Sequence, residues 1–205
     1  MIDLYAAPTS NGVRAKIMLD ECGLAYTLHK MNLQAGDHKK PEYLKLNPVG
    51  AIPTIVDNNG PGGKKVVTAQ SVAIMLYLAE KTGKFIPSDP VERAAMNEAL
   101  FNVAVDISGS LAAAFLLNRA KEPHKPSVDT LAAKYTDYLK VWDAKLKDRK
   151  YCMGDAVTIV DLALFGVVQR GNQVMPQLTQ GLTNFNRWTA DIAGRPGVKK
   201  GLDFS

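Results

Sequence analysis

The sequence predicts an α/β domain built on a mixed four-stranded sheet, followed by an all-helical domain. Three observations carry this reading. Apolar segments of strand and helix period alternate over residues 1–83. Phe85-Ile86-Pro87-Ser88-Asp89-Pro90 then sets two prolines and a capping Ser/Asp pair within six residues, which breaks and restarts the pattern. Every periodic segment after it has helical spacing. At 205 residues, 46% of them hydrophobic, the chain is long enough for one large or two small domains at roughly 100–200 residues each. The expected boundaries are 1–83, a linker over 84–90, and 91–205.

Each element has a local reason. Residues 2–7 read as a short strand. Residues 11–23 follow with Val13, Ile17, Met18 and Leu19 at near-helical spacing and stop at Gly23. Residues 26–32 read as a second strand, and 40–46 as a short helix or helical turn. Residues 52–56 have the apolar run of a buried strand. Asn58-Asn59-Gly60-Pro61-Gly62-Gly63 is a strong turn signal, so 65–69 returns as the partner in a hairpin. Residues 71–82 then form a helix. The order is βαβ, then ββα: a parallel pair with a right-handed crossover, extended by antiparallel strands. In the second half, 91–119 reads as one long helix, 122–126 as a loop, and 127–147 as an amphipathic helix. The strongly apolar segment 158–174 and a helix over 182–193 follow, and Arg195-Pro196-Gly197 ends the regular part.

Composition narrows the function. The charge of +5 is spread as +3 over residues 1–86 and +2 over 87–205, without the concentrated patch that nucleic-acid binding needs. Two cysteines, Cys22 and Cys152, exclude a disulfide scaffold and an all-cysteine metal site; three histidines (His29, His38, His124) form no metal-binding pattern. No apolar run approaches the roughly 18 residues of a membrane helix. Met-Ile-Asp-Leu-Tyr lacks the order of a signal peptide. A reduced, cytoplasmic protein is expected.

Three loops of the first half gather small and polar residues at the sheet edge where open α/β sheets bind ligands. Pro8-Thr9-Ser10-Asn11-Gly12 sits at the first strand-to-helix turn. There the orphan N–H groups and dipole of a helix N-terminus favour an anion, a thiolate included; Thr9, Ser10 and Asn11 are also candidate N-caps. Asn47-Pro48-Val49-Gly50-Ala51-Ile52-Pro53 brings Pro53 to the start of a strand. A cis Ile52–Pro53 bond would turn the backbone and leave the Ile52 N–H and C=O free for a peptide-like ligand. Ala69-Gln70-Ser71 ends the last strand, where Ser71 is a plausible N-cap and its hydroxyl with the first N–H groups could hold a carboxylate. In the second half, Thr158-Ile159-Val160-Asp161 has the spacing of a capping box, and an Asp among apolar residues should be buried and hydrogen-bonded.

Taken together, these segments resemble the cytosolic glutathione S-transferases over the whole chain. The carrying motifs are residues 5–12 (YAAPTSNG), 36–48 (GDHKKPEYLKLNP), 51–56 (AIPTIV), 68–74 (TAQSVAI) and 154–161 (GDAVTIVD). The resemblance implies a thioredoxin-like first domain, glutathione as co-substrate and a homodimer. It implies that Ile52, across cis Pro53, pairs with the cysteinyl part of glutathione. Gln70 and Ser71 would hold the γ-glutamyl carboxylate, and His38 and Lys39 the glycyl carboxylate. The thiolate donor would be Ser10, as in theta- and delta-like members, or Thr9 with Asn11, as in nu-like bacterial members. Tyr5 ranks lower because it falls inside the strand. Two departures stand out. No cysteine occupies residues 8–12, so cysteine-based chemistry is not supported and both cysteines read as packed thiols. Gly50 stands where some relatives carry a larger polar residue.

The implied reaction is attack of the glutathione thiolate on an electrophilic small molecule, in a cleft that Phe115, Asn118 and Arg119 could line. A glutathione-dependent peroxidase or disulfide reductase is the first alternative, and a non-catalytic binding protein the second. No metal, nucleic acid or membrane partner is expected.

Overall fold

A computed structural model describes residues 1–205, and the chain divides into two compact units: Met1–Lys84 with Gly194–Ser205, and Phe85–Ala193.

The first unit is a thioredoxin-like α/β fold. Its four strands, β1 (Ile2–Ala6), β2 (Tyr26–Lys30), β3 (Thr54–Asp57) and β4 (Val66–Ala69), lie in the order β2-β1-β3-β4. β1 pairs parallel with β2 and antiparallel with β3, and β3 antiparallel with β4. Because β1 and β2 are parallel, α1 (Ser10–Cys22) must cross between them. Ile2, Leu4 and Ala6 alternate into the core along β1, while the central strand β3 is buried throughout. Ile17, Met18 and Leu19 of α1 meet Ile74, Met75 and Leu78 of α3 (Ser71–Thr82) in that core, all fully buried. Gly23 ends α1 in the left-handed region (φ 72°), returning N–H bonds to the last helical carbonyls. The expected helical turn at 40–46 is a 3₁₀ turn (Asp37–Lys39) followed by the single turn α2 (Pro41–Leu44).

The second unit is all-helical. Asp89 caps α4 (Pro90–Phe101), accepting from the N–H groups of Val91 and Glu92 at 2.9 Å each. The single long helix expected over 91–119 is interrupted: Asn102–Ile107 winds as a π-helix before α5 (Ser108–Asn118). There the Ser108 hydroxyl bonds the carbonyl of Val103, five residues back, at 2.8 Å. The run Pro90–Asn118 is also long and apolar enough, by length and composition, to cross a membrane, with a window mean hydropathy of 1.8. The sequence reading passed over it because Asn, Asp, Ser and Gly interrupt the apolar residues. Met96, Leu100, Val103, Ile107, Leu111 and Ala114 form its buried stripe in the helical core. α6 (Lys125–Leu146), α7 (Ile159–Val174) and α8 (Thr183–Ala193) complete the unit. Thr158 and Asp161 form the capping box expected from their spacing, and Asp161 is fully buried.

The C-terminal segment differs from expectation. Arg195-Pro196-Gly197 does not end regular structure but opens α9 (Pro196–Leu202), since proline at the first helical positions lacks only an N–H that would be unpaired anyway. α9 packs on α1 in the first unit rather than with the helices that precede it in sequence. Two glycines allow the approach. A Cβ on Gly197 would stand 2.9 Å from the Glu21 Cα, and one on Gly201 2.6 Å from the Ile17 Cα. Charges lock the contact: Arg195 pairs with Glu21, Lys200 with Asp20 at 3.1 Å, and the Lys16 ammonium donates to the Lys200 carbonyl at 2.6 Å.

Candidate functional site

Strand register assembles the candidate site. Tyr5 pairs with Thr54, and Thr54 with Ala69. The residues after β1, before β3 and after β4 therefore meet at one end of the sheet. These are the turn 7–12, the segment 51–53 and Gln70-Ser71, the three loops singled out by sequence.

At the turn, Thr9 is the N-cap of α1, its Oγ1 accepting from the Gly12 N–H at 3.2 Å. Gly12 is obligatory, because a Cβ there would lie 2.0 Å from the Ala7 carbonyl oxygen. Ser10 opens α1 half-buried, and its hydroxyl makes no hydrogen bond within the chain. Asn11 is exposed, yet its side chain is fixed. Its Oδ1 accepts from the Arg14 Nη1 at 3.1 Å and from the Ser71 hydroxyl at 3.2 Å. Both lone pairs of that oxygen are thus taken, and the amide N–H groups are left to donate outward. Arg14 is only 2% exposed, and burial lowers its pKa to about 10. Sequence reasoning missed Arg14. The available signal was a cation one helical turn beyond Asn11, set among Val13, Ala15 and Ile17.

The second loop is held from behind. The Tyr43 hydroxyl (2.6 Å) and the Asn47 amide (2.7 Å) both donate to the Ala51 carbonyl. The Ile52–Pro53 bond is cis, and neither the N–H nor the C=O of Ile52 is taken by another backbone group. Gly50 has φ 61°, and a Cβ there would lie 2.9 Å from both the His38 carbonyl and the Lys39 ammonium. A larger residue at this position is therefore excluded by its surroundings. Lys39 donates to the Gly50 carbonyl at 2.8 Å, which ties the 3₁₀ turn to this loop. His38, on the same turn, has a buried Nδ1 without a partner.

At the third loop, Gln70 adopts φ 70°, ψ 117°, a conformation that non-glycine residues rarely take. Gln70 caps α3 without a side-chain hydrogen bond, so the first N–H groups of α3 point unpaired out of the helix. Ser71 is 6% exposed. Its hydroxyl proton goes to Asn11, which leaves its backbone N–H as the donor it offers a carboxylate.

Tyr5 stacks on His29 with ring centroids 4.4 Å apart, across the β1–β2 pair. Burial, with Asp3 adding to it, raises the Tyr5 phenol. Both cysteines are buried and free. Burial raises the thiol of each, that of Cys152 well above its ordinary range. Phe115, Asn118 and Arg119 stand at the C-terminal end of α5 in the helical unit. There the Arg119 and Arg170 guanidiniums lie 5.3 and 5.4 Å from the Phe115 ring centroid.

Comparison with known proteins agrees with this architecture. Residues 10–81 match the glutathione S-transferase N-terminal domain, and residues 105–196 the C-terminal domain. The chain is 31% identical over 204 residues to the disulfide-bond oxidoreductase YfcG of Escherichia coli (strain K12), covering 98% of this chain and 94% of that protein. A glutathione transferase from Burkholderia graminis, solved with two glutathione molecules bound per subunit, superposes with a TM-score of 0.92. It is 32% identical, over 99% of this chain and 88% of that one. A glutathione transferase from Pseudomonas putida, solved with one glutathione disulfide per subunit, superposes with a TM-score of 0.90 at 32% identity, over 99% and 91%. Matched along nearly its whole length in sequence and in fold, the chain belongs to the glutathione S-transferase family.

Proposed function

We propose that the protein is a glutathione-dependent disulfide-bond reductase whose reactive sulfur arrives with its ligand. The carrying observation is the α1 turn. It holds the Asn11 amide donor outward at a helix N-terminus and contains no cysteine.

In this reading glutathione lies along residues 51–53, its cysteinyl unit paired with the free N–H and C=O of Ile52 beside Pro53. The γ-glutamyl carboxylate sits at Gln70 and the unpaired N–H groups of α3, Ser71 included. The glycyl carboxylate is directed to His38 and Lys39. The thiol then falls at the turn, where Asn11 and the α1 N-terminus stabilise its thiolate. Thr9 shapes the turn as its cap, and Ser10 offers a further hydroxyl. A free thiol ionises near pH 8.5, so little thiolate exists at pH 7. Lowering that by two pH units requires about 2.7 kcal/mol. One hydrogen bond to a charged group supplies about 1.5–3 kcal/mol and a helix N-terminus about 0.3–1 kcal/mol, so the turn is sufficient. The thiolate attacks one sulfur of a disulfide. A new S–S bond forms, the old one breaks, and the displaced thiolate takes a proton from water. A second glutathione thiolate attacks the glutathione sulfur of the mixed disulfide. It releases the second thiol and leaves glutathione disulfide, so two glutathiones supply the two electrons.

Disulfide reduction is preferred to conjugation because of the relatives: one is named a disulfide-bond oxidoreductase, one holds two glutathiones per subunit and one holds glutathione disulfide. Assays with glutathione and, in turn, a small dialkyl disulfide, a hydroperoxide and a halonitroarene decide it. The expected result is turnover of the disulfide at least about tenfold above the halonitroarene, a difference of roughly 1.4 kcal/mol in barrier. Faster reaction of the halonitroarene would return the function to conjugation of carbon electrophiles, and faster hydroperoxide turnover to a peroxidase. Glutathione binding without turnover would make this a binding protein.

The reading places the reaction in the reducing cytoplasm and the protein in a homodimer. Phe101 and Val105, 60% and 64% exposed one turn apart, supply an apolar patch for such an interface; sedimentation velocity reads the oligomeric state directly.

A further inference from the structure

We propose that Arg14 is a positioning residue: its buried guanidinium fixes which way the Asn11 amide faces and thereby sets the acidity of a thiol bound at the α1 turn. The inference rests on the reading that glutathione binds there.

An asparagine amide is nearly symmetric in shape, so its carbonyl and amino ends exchange by a flip of the side chain. What decides between the two is the surrounding donors. Two groups meet the Asn11 Oδ1, and they are not equivalent. The Ser71 hydroxyl, at 3.2 Å, can rotate to donate or to accept, so it tolerates either end of the amide. The Arg14 guanidinium, at 3.1 Å, carries only donors and tolerates only the carbonyl. Arg14 therefore forbids the flip, and Ser71 follows it. The outward end of Asn11 is then two N–H donors, the chemistry that stabilises a thiolate. The flipped residue would present a carbonyl oxygen and repel one.

Charge adds to orientation. Burial lowers the Arg14 pKa, the value of about 10 still leaving it protonated at neutral pH. A cation bonded to the amide oxygen draws electron density from the amide nitrogen and strengthens its N–H groups as donors.

The test follows the ionisation of bound glutathione by the ultraviolet absorbance of its thiolate across pH, in the wild-type protein and in R14M, R14K, N11A and the R14M/N11A double variant. The expected result is an acid constant for the bound thiol about tenfold smaller in R14M, with glutathione affinity within about threefold and at least half of the loss restored in R14K. In the N11A background, R14M should add less than about a third of its own effect, because the two act as one unit. An unchanged acid constant in R14M overturns the proposal, as does a full additional loss in R14M/N11A, which would make Arg14 a direct electrostatic contributor. A second measurement needs no folded Arg14 variant. The side-chain amide resonance of Asn11, assigned by its loss in N11A, should shift when glutathione is added to the wild-type protein; an unmoved resonance at saturation contradicts the outward orientation. Failure of the wild-type protein to bind glutathione would instead defeat the functional reading itself.

Discussion

Asp161 has no exposed surface, and its two carboxyl oxygens accept four hydrogen bonds. The donors are the N–H groups of Cys152 (2.8 Å) and Thr158 (2.9 Å), the Thr158 hydroxyl (3.1 Å) and the Trp188 indole (2.9 Å). It joins the α7 cap to the segment before it and to α8. Asp161→Ala strands buried donors at about 1–3 kcal/mol each. The expected loss is about 3 kcal/mol or more, a fall in thermal midpoint of roughly 10 °C at 2–4 °C per kcal/mol, with glutathione affinity unchanged in the protein that remains folded. Thermal unfolding followed by circular dichroism checks the first part and calorimetric titration the second. The local half of this network was legible in the sequence, since the spacing of Thr158 and Asp161 is that of a cap. The donors from Cys152 and Trp188 were not, because no local pattern says which side chain will reach a buried carboxylate from another element. The bond between Ser71 and Asn11 was hidden for the same reason, since it spans sixty residues.

At the scale of elements, strand and turn chemistry was readable and interruption was not. β1 and the β3–β4 hairpin followed from alternation and from Asn58–Gly63. The three loops of the candidate site followed from the βαβ–ββα order, which fixes the end of the sheet they share. The π-helical stretch at 102–107 leaves the apolar stripe of its helix intact, so periodicity reads straight through it. α9 was lost because Pro196 serves equally as a stop and as a first helical residue. Its packing on α1 yields a direct expectation. Gly201→Ala drives a methyl against the Ile17 backbone, which cannot give way as a flexible side-chain end would. Such overpacking costs about 1–3 kcal/mol. The thermal midpoint should drop by roughly 2–12 °C, while Lys199→Ala, exposed on the same helix, stays within about 0.5 kcal/mol of wild type. Equal midpoints for the two variants would mean that α9 is not seated on α1 in solution.

Over the whole molecule, the division into an α/β unit and a helical unit was visible in the change of periodicity near residue 86 and in the two prolines there. The return of residues 194–205 to the first unit was not, since it depends on a surface, the Ile17–Glu21 face of α1, that is defined only after folding. The same scale gives the two cysteines their meaning. One is packed on the far end of α1 and the other lies under Asp161; both are buried and hard to ionise. Neither belongs to the α1 turn, so in the proposed reaction the reacting sulfur comes from the ligand. The most direct measurement is glutathione-dependent disulfide reduction by a cysteine-free double variant, C22A/C152A, with rates normalised to the glutathione-binding fraction. The expected rate is within about twofold of wild type, a barrier change below roughly 0.5 kcal/mol. A loss of more than about a hundredfold, near 2.7 kcal/mol, in protein that still binds glutathione would show that the chain supplies the sulfur itself.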